Sequence, residues 1–161
     1  MGAAFEGMRH TGLAILIAIA AVTLTSAATA GAVGAKQRVA ITIRPPVLTF
    51  VLTPMTEGAT KRDSGTVSWQ RESERVVMRD GQRVAQWVGS GTLVGKRGTI
   101  VIRFRIDWLD AGHGHDAGSG TWSVIRGTRD YATLTGGGRS AHVWLPGGPA
   151  ASRAEGFVRS G

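Results

Sequence analysis

Few stretches of this chain bring together side chains that could do chemistry. In His113-Gly114-His115-Asp116, the His-x-His spacing on a strand edge would let two imidazoles share one metal ion. The stretch sits in a glycine-rich turn and lacks the downstream glutamate and later histidine that would complete a metal set, so it reads as a solvated loop. Glu72 and Glu74 flank Ser73 and could divide acid and base roles, but carboxylates at a turn usually face water. Asp63-Ser64-Gly65 resembles a fragment of a serine nucleophile site, yet no G-x-S-x-G elbow occurs anywhere and Ser64 reads as a turn residue. The chain has no cysteine, hence no thiol nucleophile and no disulfide. No catalytic residue, metal ligand or cofactor is assigned.

The elements that would position any site are strands. "TIVIRFRIDWL" alternates Ile100, Ile102, Phe104, Ile106 and Trp108 with Thr99, Val101, Arg103, Arg105 and Asp107, the pattern of a half-buried strand. The same period of two predicts strands over 37–43, 47–53, 65–71, 74–79, 83–95, 120–126, 139–145 and 154–158. Turn chemistry separates them, including Asp80-Gly81 as a tight hairpin and Pro146-Gly147-Gly148-Pro149. No helical period follows residue 35. The fold class is therefore all-β and antiparallel, either a closed barrel or a sandwich. Either face of 99–109 could turn inward. With the charged face inside, neighbouring subunits would have to cover the apolar face and the lumen would be a polar site, but Arg is rarely buried whereas Ile, Phe and Trp fill small barrels well, which favours the apolar face inside.

Residues 1–35 are expected to be a cleavable signal peptide, with a basic start, an apolar run from Leu13 to Leu24 and the small-x-small triplet Ala28-Thr29-Ala30. The run is too short for a comfortable permanent span, so no membrane anchor is expected. Residues 36–161 then form a single domain, large enough for a core of its own. The formal charge is +8, and because Glu6 and Arg9 cancel, all of it falls on that domain. Asparagine is absent and arginine far outnumbers lysine, as a GC-rich genome would produce. The expected location is outside the cytoplasm, secreted or in the cell envelope. The arginines are spread over many strands instead of being clustered with aromatics, which argues against a nucleic-acid partner.

The glycine-rich stretch "RGTRDYATLTGGGRSA", residues 126–141, holds the only tyrosine. Its pattern, Gly127-Thr128-x-x-Tyr131 followed by Leu134-x-Gly136-x-Gly138, resembles the late hairpin of the allene oxide cyclase and dirigent barrel superfamily. Arg129 stands where that family commonly has a further glycine, so the turn either needs no positive φ there or carries strain. The resemblance implies a small antiparallel closed β-barrel of about eight strands, often trimeric. Plant members cyclise an unstable oxylipin epoxide or steer radical coupling, and many bacterial members are exported proteins of unknown role.

Trp69, Phe104, Trp108 and Tyr131 are the assigned ligand-binding residues, with Trp87, Trp122 and Trp144 as further candidates to line a cavity for an apolar molecule. Three function classes follow. The first is a non-catalytic exported barrel that holds a small apolar molecule or serves as an interaction module. The second is an isomerase or cyclase of the allene oxide cyclase kind, which needs little beyond a shaped lumen and one or two polar groups. The third, resting on the positive charge, is a binder of anionic cell-envelope polymers.

Overall fold

The computed structural model describes residues 34–144, 146 and 151–161. The expected signal peptide lies, except for its last two residues, outside the described residues. Eight strands account for most of the rest: β1 (Gln37–Arg44), β2 (Thr49–Pro54), β3 (Asp63–Arg79), β4 (Gln82–Gly95), β5 (Thr99–Gly112), β6 (His115–Gly127), β7 (Thr135–Trp144) and β8 (Ala151–Arg159). Each pairs antiparallel with the next, and β8 returns to pair with β1, so the sheet closes into a ring. A single 3₁₀ turn, Arg129–Tyr131, interrupts the strands. Among the described residues no helix is long and apolar enough to cross a membrane.

The period-two pattern finds every strand, with one merger and with β6 and β7 starting five and four residues earlier than expected. Segments 65–71 and 74–79 belong to one strand, β3, whose register against β4 shifts between Arg71 and Ser73. A bulge at that point lets the strand continue through residues whose alternation breaks. The Asp80-Gly81 hairpin forms as expected, with φ values of 48° and 79°, both in the left-handed region that a two-residue turn requires.

The apolar face of β5 points inward. Ile100, Ile102, Phe104, Ile106 and Trp108 are all buried, while Arg103 and Arg105 are exposed on the outer face. The main core gathers Val39, Ile41, Phe50, Leu52, Leu93 and their neighbours from successive strands around the ring. A second, smaller cluster of Phe104, Ile106 and Trp108 sits toward the end where β3 turns into β4.

β3 and β4 run well past the short β2, which pairs with β3 only between Thr49 and Leu52 on its own side. On the outer face a polar chain braces this long hairpin. Arg75 donates to Gln86 Oε1 from Nε at 3.0 Å and from Nη2 at 2.7 Å, and Gln86 in turn donates to Asp107 at 2.7 Å. Gln86 is buried despite facing outward, and its amide is satisfied on both sides.

The glycine run of the 126–141 stretch lies within β7. Gly138 faces Gly156 across the β7–β8 ladder, and a Cβ at Gly138 would run into the Glu155 carbonyl oxygen and lie 2.5 Å from Gly156 Cα. Arg129, just before the run, adopts φ +55°. The turn therefore does take a left-handed residue where the resembled family has glycine. Replacing Gly138 with valine should destabilise the protein by about 1–3 kcal/mol or more in chemical denaturation, because the neighbour is backbone and cannot swing away. Arg129→Gly should change stability by less than about 1 kcal/mol, since relief of the left-handed backbone offsets the extra freedom of the unfolded chain.

Candidate ligand cavity

One end of the ring is plugged by a buried carboxylate. Asp63, the first residue of β3, accepts hydrogen bonds from the backbone N–H of Ser64 at 2.8 Å, Lys96 at 3.1 Å and Arg97 at 3.1 Å, and from the Tyr131 hydroxyl at 2.9 Å. Burial alone would push its carboxyl up, but these donors outweigh it and hold the group below the usual carboxylate value. Burial and the bond to Asp63 push the Tyr131 phenol above its ordinary range. Gln37 acts similarly on the β2–β3 loop. Its amide donates to the carbonyls of Thr56 and Thr60, both at 2.9 Å, and accepts from Thr60 N–H at 2.9 Å.

The opposite end holds a cavity of about 360 Å³, at the lower end of the range for small-molecule sites. β5 contributes Phe104, Ile106 and Trp108; Trp69 and Arg71 come from β3, Trp87 from β4 and Trp144 from β7. Leu48, in the β1–β2 turn, completes the apolar wall. The rings meet edge to face or tilted: Trp69 on Phe104 at 5.3 Å, Trp87 on Trp108 at 5.3 Å, and Trp144 on both Trp87 and Trp108 at 6.3 Å between centroids.

Small residues on the facing strands make room for these rings. A Cβ at Gly91 would collide with the Trp69 ring, and one at Gly118 would lie 2.9 Å from the Trp108 ring. The indole N–H groups of Trp87 and Trp108 are buried and have no acceptor among the described residues. A buried donor left unpaired costs about 1–3 kcal/mol, a cost that the packing of these two rings must offset.

The polar part of the wall is small. His142 bonds to Ser152 Oγ through Nδ1 at 2.7 Å and to Ser140 Oγ through Nε2 at 2.8 Å, with its ring 5.6 Å from Trp108. Burial pushes its pKa down to about 4, so the imidazole is neutral at physiological pH. Arg71 lies over the Trp87 ring at 4.7 Å and is paired with Glu74 at the mouth.

Of the four ligand-binding residues assigned from sequence, the cavity brings together Trp69, Phe104 and Trp108. Tyr131 is not among them. It is buried in the main core at the plugged end, where its ring packs and its hydroxyl is spent on Asp63. Trp122 also belongs to that core, with its indole donating to the Glu155 carbonyl at 3.4 Å. His142 and Ser152 were not singled out in the sequence. The period of two that puts Trp144 inward puts His142 inward as well, and that was the available signal.

The remaining chemical stretches fall elsewhere. His113 and His115 lie at the exposed β5–β6 turn, and among the described residues no group of three or more His, Cys, Asp or Glu is gathered to hold a metal. Glu72 pairs with Arg103 at 3.2 Å across the outer surface, so the two glutamates face different partners. Neither a family model, nor a curated protein, nor a solved structure matches this chain.

The buried neutral imidazole makes stability depend on pH. The unfolded chain takes up a proton near pH 6.5 and the folded protein only near pH 4, so stability falls as pH is lowered between those values. Denaturation midpoints measured from pH 7 to pH 4 should drop for the parent, corresponding to a loss of about 3 kcal/mol at most, and His142→Gln should remove most of the slope in this window.

Proposed function

We propose that this chain is an exported small β-barrel that holds an apolar or weakly polar small molecule in the aromatic cavity, without catalysing its conversion. The single observation that carries the proposal is the wall itself, in which four tryptophans and a phenylalanine from β3, β4, β5 and β7 surround one space of about 360 Å³. Tryptophan is costly to leave half-covered, and Trp69 and Trp144 remain 36% and 38% exposed at the rim, where a guest would cover them. The titratable groups of the wall support binding over reaction, because Arg71 is tied to Glu74 and His142 is neutral and bonded to two serines.

Resemblance of the 126–138 motif to allene oxide cyclases and dirigent proteins supports the barrel assignment and suggests a homo-oligomer, often a trimer in that family. The second reading, an isomerase or cyclase, has one observation in its favour: the His142–Ser152 pair on the cavity wall is the kind of polar feature that such a lumen needs.

Native mass spectrometry of the protein purified from the organism that makes it should show a retained small molecule and report the subunit count in the same spectrum. With the fluorescent apolar probe 1-aminoanthracene, the emptied protein should bind at one site per chain. Trp87→Ala with Trp144→Ala should weaken that binding at least tenfold. Saturation at many sites, or equal affinity in the double variant, would contradict the proposal.

A further inference from the structure

The outer wall carries a second feature that the aromatic cavity does not use. β6 presents Ser119, Thr121 and Ser123 outward, short side chains between Arg103, Arg105 and Asp107 of β5 and, on β7, the single long side chain of Arg139 set between Gly137 and Ala141. The result is a trench over β6, seen as two adjoining depressions of about 350 Å³ and 360 Å³ that share Arg105 and Thr121. Register fixes its central row: Arg105 stands directly across from Thr121, and Thr121 directly across from Arg139. Two guanidinium groups thus flank a hydroxyl, their Cα atoms about 10 Å apart across two strand spacings.

Ion pairing separates these two arginines from their neighbours. Arg103 is paired with Glu72 at 3.2 Å, and Asp107, which lines one end of the trench, is taken by Arg79 at 3.4 Å and by Gln86. Glu155, the residue across from Arg139 on β8, is engaged by Arg38 at 2.8 Å and Arg153 at 2.7 Å. Arg105 and Arg139 have no carboxylate partner among the described residues. Every acid within register reach of this pair is already spent, in a chain with an excess of eight positive charges.

We propose that the trench over β6 is an oxyanion site, in which Arg105 and Arg139 grip phosphate groups of an extended polyanion and Thr121 donates from the floor. A guanidinium fork matches a tetrahedral oxyanion bidentately, and a hydroxyl between two forks supplies the third direction. The trench continues past Arg105 toward Arg103 and Ser123, and this continuity is what favours a chain over a single ion. The site is separate from the aromatic cavity and does not depend on it.

Long-chain polyphosphate and inorganic phosphate are the probes, titrated by calorimetry against the full domain at several salt concentrations. Polyphosphate should bind at least tenfold more tightly than inorganic phosphate. Arg105→Gln with Arg139→Gln should weaken polyphosphate binding at least tenfold and make the log–log salt dependence shallower by about 1.4, the share of two contacts on a single-stranded polyanion. The charge-matched pair Arg44→Gln with Arg159→Gln, far from the trench, should change neither. Thr121→Glu, an exposed substitution that places a carboxylate on the floor, should abolish binding with the melting temperature retained. Equal losses in the two double variants would mean diffuse attraction by net charge and would overturn the site. Equal affinity for the two probes would overturn its extended character.

Discussion

The four hydrogen bonds gathered on the Asp63 carboxylate are the interaction on which the rest of this structure depends. They tie the first residue of β3 to the β4–β5 turn through Lys96 and Arg97, and to the 3₁₀ segment through Tyr131. These segments are 33 to 68 residues apart in sequence, so the carboxylate stands in for a disulfide in a chain that has no cysteine. A buried charge is tolerable only when its lone pairs are filled, and here three backbone donors and a phenol fill them. Loss of the carboxylate would leave several of those donors unpaired together, which is far costlier than loss of one surface ion pair.

Plugging one end decides where space is left. Asp63, Tyr131, Leu134 and the Gln37 clamp fill the end at which β3 begins with buried, hydrogen-bonded side chains. At the other end the long β3–β4 hairpin rises above the short β2, and large rings lean over glycines on neighbouring strands. Bulk concentrated on β3, β5 and β7 and smallness at Gly91 and Gly118 produce a cavity bordered by rings instead of a filled core. His142 and Arg71 at its wall are both engaged by protein partners.

Much of this architecture was legible in the residues. The alternation of 99–109 marks a strand because every even position is large and apolar, but alternation alone leaves open which face turns inward; the structure puts the apolar face inside. The 65–79 stretch read as two strands because a bulge shifts the period by one residue, and a local pattern cannot distinguish that from a turn. Three of the four assigned site residues share the cavity, since the inward faces of β3 and β5 carry Trp69, Phe104 and Trp108. Tyr131 lies apart from the other three because the 3₁₀ segment that carries it sits at the opposite end of the ring, a height that depends on long-range register. Its partner, Asp63, reads as part of a turn, and no local pattern announces a carboxylate that collects donors from two distant segments as well as from its neighbour Ser64. His142 was equally hidden, a lone polar residue on an inward face whose serine partners are visible only once β7 and β8 are paired.

The tryptophans provide the most direct test of the central claim that one end is closed and the other receives a guest. In a nitrogen-15 NMR spectrum the five indole N–H groups should give separate signals, four from the cavity wall and one, Trp122, from the plugged core. Titration with 1-aminoanthracene should shift the signals of Trp69, Trp87, Trp108 and Trp144 together to saturation and leave that of Trp122 in place. A saturating shift at Trp122 with the other four unmoved would contradict the account, because it would put the guest in the end that Asp63 closes.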